Sequence, residues 1–347
     1  MERSGRTRKW VVAGTVAALV AVAALAWRGN TGNAAGATPG RAGPATTAGT
    51  AADRGQAASA GAGERVEPSA VPSGPLPAVG TPFRLTLDEL QRRARAGDAA
   101  AMCRLAAEHA DCVRIRASLA VTSMMLDVEQ ARIAAGQDGR DQPRRRSWTT
   151  ERGEALLEES RHCEGVPPIT DRELVRQWRA AALAGSLPAL EHYALGQAFE
   201  IRSLLSVLPE LELYRRDAEA MAWRAVEAGS RTATRMLGMA YMPDAHESGF
   251  APFLTQAVEP DAVEALAMLR VALKLGDPPG IHDVGIVHAV RIAQLEERMT
   301  PAQRTLAAQR TAQIEALHDN IAAGPRGARG SANLAEACSA PGATGLP

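Results

Sequence analysis

Four cysteines and two of the seven histidines form the densest set of reactive and metal-ligating side chains: Cys103, His109, Cys112, His162 and Cys163, with Cys338 far downstream. Paired thiols in an oxidising compartment form disulfides, whereas thiolates and imidazoles together can ligate zinc. Cys103 and Cys112 are nine residues apart. On an intact helix that places them about 13 Å apart by rise, beyond disulfide reach. Cys112 and Cys163 instead bracket a stretch that reads as a helical hairpin whose ends meet. The expected bridge is therefore Cys112–Cys163, leaving Cys103 buried or paired with Cys338. His109 and Cys112 at i, i+3, with His162 beside Cys163, make zinc the rival reading, but this spacing matches no common zinc module, and no metal ligand is assigned.

No other set of residues points to catalysis. Ser, His and acidic residues occur without a nucleophile elbow, and no phosphate-cradling glycine loop is present. His282 and His288, six apart, fall on different helix faces. Glu158-Glu159 and Glu296-Glu297 read as solvated helix surface. The expectation is a protein that is not an enzyme and takes no cofactor. For contacts with a partner, the candidates are Tyr193, Tyr241, Phe250 and Phe253, the last two in a proline-containing interruption over 243–259. The interruption reads first as a packed plug and second as a contact loop. Arg144, Arg145 and Arg146 read as a solvated loop, with an acidic partner or lipid headgroups as the other use.

The elements that position these residues show in a repeat. RQWRAAALAGSLPALEHYALG at Arg176–Gly196 returns as MAWRAVEAGSRTATRMLGMAY at Met221–Tyr241. With the glycine as zero, clear copies centre on Gly185 and Gly229, and weaker ones on Gly97 and Gly276. Four residues on stand Ala101, Ala189, Ala233 and Gly280; eight on stand Leu105, Tyr193, Leu237 and Val284; nine on stand Ala106, Ala194, Gly238 and Gly285. Positions four and eight share a helical face, where small residues allow close helix approach and the large one fills the groove. The glycine suits a helix C-cap. Gly185, Gly229 and Gly276 are spaced by 44 and 47 residues, and Gly97 lies 88 before Gly185. A period near 40 residues marks stacked helix pairs, each of which needs neighbours to complete its core.

At these residues the chain resembles the Sel-one-like repeat family, relatives of the tetratricopeptide repeats. The family pattern appears as Ala225, Ala228, Gly229, Ala233, Leu237, Gly238 and Tyr241. The copy at Gly185 keeps Ala181, Ala184, Ala189 and Leu195-Gly196 without the final tyrosine. Arg93 replaces an alanine at the Gly97 copy, and Pro278 and Pro279 enter the Gly276 copy. The resemblance is specific over about 171–242 and weak over 86–112 and 260–298. It implies an all-α helix-pair solenoid that serves as a protein-binding scaffold, and it carries over no catalytic residue.

In chain order, a basic lead (Arg3, Arg6, Arg8, Lys9) precedes the uncharged stretch Trp10–Trp27, WVVAGTVAALVAVAALAW. Its eighteen residues sit at the short end of a membrane span, with tryptophans at both interfaces and a cytoplasmic N-terminus by the positive-inside rule. The expected role is an uncleaved single-pass anchor, with a cleaved signal as the alternative. Residues 28–82 are an Ala/Gly/Pro linker that cannot bury enough surface to order itself, spanning roughly 40 Å as a coil. Residues 83–323 form the helical region. Its first helix opens at a Thr86/Glu89 capping box, and helices follow over about 86–96, 99–110, 114–136, 149–162, 171–184, 187–199, 216–228, 231–242, 261–275, 279–298 and 301–322. Asp171 and Asp217 sit at helix starts. Residues 324–347 return to Gly, Ala and Pro and are expected to lack structure.

Zero net charge and a pI near 7.1 exclude nucleic-acid binding by phosphate neutralisation. The arginine excess, with Lys9 and Lys274 the only lysines, reads as codon bias in a GC-rich genome. The functional expectation is a scaffold in the bacterial inner membrane, anchored by 10–27, whose periplasmic domain holds a protein partner. The alternatives are a cell-wall peptide or glycan recognition module and a self-associating structural protein, a homo-oligomer.

Overall fold

Helix follows helix along the chain, and several apolar stripes of 3.6-residue period end at a positive-φ glycine: Gly97, Gly136, Gly185, Gly196, Gly229 and Gly276. The computed structural model describes residues 74–137, 142–247, 252–276, 284–322 and 333–340, all within one compact unit, Arg65–Pro347. The described residues form eleven α-helices and no strand. They are α1 (Phe83–Arg95), α2 (Ala99–Ala134), α3 (Gln142–Ser160), α4 (Asp171–Leu183), α5 (Leu187–Ala194), α6 (Leu208–Glu227), α7 (Arg231–Ala240), α8 (Ala262–Leu275), α9 (Val284–Arg298), α10 (Pro301–Ala322) and α11 (Leu334–Ser339).

The four glycines that number the repeat all have positive φ: Gly97, Gly185, Gly229 and Gly276 have φ of 86°, 93°, 85° and 76°, with Gly276 the more extended at ψ 170°. At Gly97, Gly185 and Gly229 the amides of the glycine and of the residue after it close the paired bonds of a Schellman turn, as in Gly229 N to Val226 O (2.9 Å) and Ser230 N to Ala225 O (2.9 Å). The residue after the glycine then starts the next helix. Asp98 accepts from the amides of Ala100 and Ala101, and Ser230 from that of Ala233. A three-residue connection (96–98, 184–186 and 228–230) thus turns α1 into α2, α4 into α5 and α6 into α7. The alanines four residues on, Ala101, Ala189 and Ala233, are fully buried in the pair contact.

Packing follows chain order. Beyond the four pairs α1–α2, α4–α5, α6–α7 and α8–α9, α2 packs on α4, α5 on α6 and α7 on α8. Trp178, Leu190, Tyr193, Tyr214, Leu237 and Leu266 are fully buried between them, each such side chain contributing about 1.5–3 kcal/mol. Ion pairs tie neighbouring pairs together. Glu210 of α6, almost fully buried, takes Arg176 (2.8 Å) and Arg172 (3.3 Å) of α4, and Asp217 takes Arg179 (2.6 Å). At the degenerate Gly97 copy, buried Arg93 bonds Asp98 (2.7 Å) and the carbonyls of Gly74 and Pro75, which explains how a guanidinium occupies an alanine's place.

Several helix limits differ from the sequence reading. α1 opens at Phe83, which is buried and pulls the start forward; Thr86 lies inside the helix with its hydroxyl on the Phe83 carbonyl (3.2 Å). The reciprocal capping box is Thr170/Glu173, before α4. The segments read as 99–110 and 114–136 are one 36-residue helix, α2. α6 begins at Leu208, so Asp217 is interior to it and serves the Arg179 pair. In the stretch 324–347, expected to lack structure, Leu334–Ser339 is helical, capped by Asn333.

The C-terminal segment folds back over the pairs. α10 packs on α8 and α6, with Ala307 and Ile314 fully buried and His318 bonded to Thr234 of α7. α11 packs on α2 and α5.

Candidate interaction groove

The outer half of α2 continues past the core and is matched only by α3. The disulfide Cys112–Cys163 (Cα–Cα 5.6 Å) fixes the base of this hairpin, the pairing expected from its two ends. Cys103 bonds Cys338 of α11 (Cα–Cα 5.4 Å), one of its two expected fates.

Between the bridges lies a buried polar cluster. Arg104 holds Glu108 through Nε (2.6 Å) and donates to Ser339 Oγ (2.7 Å); His162 Nε2 lies 2.6 Å from the other Glu108 oxygen. Burial opposes the Glu108 charge, but the bonds from His162 and Arg104 outweigh it and hold its pKa below 4.5. The Glu108 bond raises His162 above 6.5 against burial. His109, bonded to Gln177 at 2.8 Å, is lowered by burial. Phe83 lies parallel to the His162 ring and edge-on to His109. All four cysteine sulfurs are bonded to each other. Among the described residues, no three His, Cys, Asp or Glu are placed to hold a metal ion. What the cluster can do is clamp the hairpin base to α1 and α11.

Beyond the clamp, a cavity of about 640 Å³ opens between three walls. α2 contributes Arg114, Ala117, Ser118, Val121, Thr122 and Met125; α3 contributes Trp148, Thr149, Arg152 and Leu156; Glu200, Ile201 and Arg202 close it from the loop before α6. Residues 114, 118, 121 and 125 recur at helical spacing on one α2 face. Leu156 is fully buried at the floor, whereas Val121, Met125, Trp148 and Ile201 stay 44–76% exposed. Among the described residues, nine of the sixteen large apolar side chains that remain exposed lie on α2, α3 and 201–208, and four of the nine, Val121, Met125, Trp148 and Ile201, line this cavity.

The aromatic residues expected to touch a partner do not form one face. Tyr193 is fully buried in a cluster with Phe199 and Tyr214 (ring centroids 6.1 and 5.6 Å), and burial pushes its hydroxyl up to about 12. Phe253 packs on Phe199 at 5.6 Å and over Gly196, the plug role expected of its loop. Phe250 lies outside the described residues. Tyr241 is buried at a second cleft, about 340 Å³, with Glu219, Trp223, Asp261 and Glu264. Its hydroxyl donates to Glu219 (2.5 Å) and accepts from Trp223 Nε1 (2.8 Å). Arg310 of α10 lines that cleft, 4.8 Å from the Trp223 ring centre and 2.8 Å from Glu264.

The sequence reading missed Val121, Met125, Trp148 and Ile201. The stripe Val121, Met124, Met125 and Val128, at i, i+3, i+4 and i+7, was the available signal, but in sequence such a stripe reads as the core face of a hairpin. Among the described residues no helix is long and apolar enough to cross a membrane; the segment 10–27 lies outside them. No protein-family model matches the chain, and neither a curated protein nor a solved structure matches it.

Proposed function

We propose that this chain is a membrane-anchored helical-repeat scaffold of the Sel-one-like kind, whose stacked helix pairs hold a protein partner on the periplasmic side of a bacterial inner membrane. The Gly97, Gly185, Gly229 and Gly276 turns, with one register of buried alanines, support the repeat reading. The uncharged stretch 10–27 behind a basic lead supports the anchor. The observation that carries the function is the groove: exposed apolar side chains gather in one concavity, and the walls are held by a disulfide and a buried ion cluster. A wall fixed in this way presents apolar surface to a partner without first having to order it.

The test is site-specific photocrosslinking in intact cells, with the photoreactive group at Ile201 in the groove and, as control, at the exposed Leu306 on α10. A discrete protein adduct from Ile201 and none from Leu306 is the expected result. Adducts from neither position, or equal adducts from both, would remove the groove as a partner site. Carbonate extraction and protease protection of the same cells check the anchor, with the chain expected in the membrane pellet and its C-terminal part digested only after the outer membrane is opened.

A further inference from the structure

The shape and charge of the groove narrow what it holds. We propose that its occupant is an amphipathic helix whose apolar face is flanked by acidic residues, an inference that rests on the scaffold reading. The α2 wall from Arg114 to Met125 is about 16 Å long by helical rise, three turns of a bound helix. Its buried floor holds Leu156 with Thr122 and Thr149, the small Ala117 and Ser118 lie beside them, and Val121, Met125, Trp148 and Ile201 stand exposed at the sides. A concave floor flanked by exposed apolar side chains receives the ridge of a helix, which is how apolar anchors at i, i+3, i+4 and i+7 are bound in grooves. A flat lipid surface would meet the walls and leave the floor uncovered.

Charge selects among helices. The four charged residues of the lining are Arg114, Arg152 and Arg202 against Glu200. Arg144 and Arg146 stand exposed within one turn before Trp148 on α3. The three arginines have internal partners: Arg114 meets Asp111 (2.8 Å) and Glu159 (3.3 Å), Arg152 meets Glu159 (3.9 Å), and Arg202 meets Glu200 (2.5 Å). Each of these arginines is 43–54% exposed. Exposed pairs of this kind are worth little, and a guanidinium has five donors, so each can take a second carboxylate from an incoming helix. Acidic flanks then gain bonds along the rim, whereas basic flanks find its carboxylates, Asp111, Glu159 and Glu200, already paired with arginine.

The experiment uses the full chain, disulfides intact, in detergent micelles, and two labelled synthetic helical peptides. Both carry leucine at i, i+3, i+4 and i+7; one has flanking glutamates and the other lysines at the same places. The glutamate peptide is expected to bind about tenfold or more tighter in fluorescence anisotropy, given several rim pairs. Val121→Asp should abolish its binding, and the pair Arg152→Glu with Arg202→Glu should reverse the preference toward the lysine peptide. These positions are exposed or partly exposed, and unchanged circular dichroism checks the fold. Equal affinities, a lysine preference, or indifference to Val121→Asp would overturn the inference. Binding to vesicles containing anionic lipid that Val121→Asp abolishes, without peptide binding, would overturn it in favour of a lipid surface. If the peptides fail while Ile201 still crosslinks a protein, the acidic helix is wrong and the scaffold reading stands; if both fail, both readings fall.

Discussion

Gly238→Ala separates two opposite expectations at a close contact between α7 and α8. Gly238 lies inside α7, where alanine has the better helix propensity by about 1 kcal/mol. On propensity alone the substitution stabilises. The packing says otherwise. A Cβ at Gly238 would stand 2.9 Å from Met268 Cβ, 3.3 Å from Leu269 N and 3.4 Å from Leu269 Cγ, all on α8. Carbon pairs are most favourable at about 3.5–4.0 Å, so the methyl overlaps Met268 Cβ by more than half an ångström. Met268 Cβ and Leu269 N move with the α8 backbone, so no rotamer change relieves the overlap and α7 and α8 must separate.

Overpacking costs about 1–3 kcal/mol; because only backbone movement relieves this overlap, the cost lies in the upper part of that range, about 2–3 kcal/mol, and subtracting the propensity gain leaves a net loss of about 1–2 kcal/mol. For a folded region of this size that lowers Tm by roughly 2–8 °C. The assay is urea unfolding followed by far-UV circular dichroism, with Gly229→Ala beside it. Gly229 has open space around it but φ of 85°, so alanine there costs about 1–2 kcal/mol from the left-handed conformation alone. Met268→Ala keeps its Cβ and should not rescue Gly238→Ala. A Gly238→Ala protein as stable as the parent, or rescue by Met268→Ala, would refute the close approach of α7 to α8.

Four other outcomes follow from the same contacts. Leu266→Ala, at a fully buried site, should cost about 3 kcal/mol, against under about 0.5 for the exposed Leu306→Ala, read in the same urea series. Replacing Cys112 and Cys163 by alanine opens a 51-residue loop, worth about 4 kcal/mol in the chain-entropy account, and should lower the non-reducing urea midpoint accordingly. The raised pKa of His162 gives stability that is complete below 6.5 and lost as pH rises through its folded value; the gap between parent and His162→Gln should therefore shrink toward alkaline pH. Burial lowers His192, whose ring lies tilted against Trp178 with centroids 4.1 Å apart, to about 4. Its contribution is present above 6.5 and lost as pH falls toward 4, so His192→Gln should flatten the acid side of the stability profile instead.

Local chemistry was legible wherever one residue type alone satisfies the backbone. The repeat glycines could be found because a left-handed C-cap excludes most side chains, and the alanines four residues on because two helices touch there. Cys112–Cys163 followed from helical rise and an out-and-back hairpin. The dipeptide Leu-Gly misled: Gly196 is a left-handed cap at φ 76°, whereas Gly238 is a close contact within a helix, and the register partner of Gly238 is the buried Ala194. The repeat template also imposed a break near 111–113, although no glycine or proline stands there to end α2. Asp217 looked like a helix start because its partner, Arg179, is 38 residues away and leaves no local signature.

The six-residue α11 shows the same limit from the other side, and it bears on where a partner can sit. A helix so short is unstable alone; α11 exists because Cys338 is bonded to Cys103 and because Arg104 holds Ser339. Composition over 324–347 carries no trace of this. With α10 on α6 and α8, and α11 on α2 and α5, the chain's own C-terminal segment covers helix faces that a stacked array otherwise leaves open. Tyr241, expected to meet a partner, lies beside one such covered place, where Arg310 sits against Trp223. The outer half of α2 and its companion α3 escape this cover, since the cluster of Arg104, Glu108 and His162 ends the C-terminal contact at the hairpin base. The helix pairs are therefore the frame, and the departure from them, a helix too long for its pair, carries the exposed apolar surface to which we assign the proposed partner.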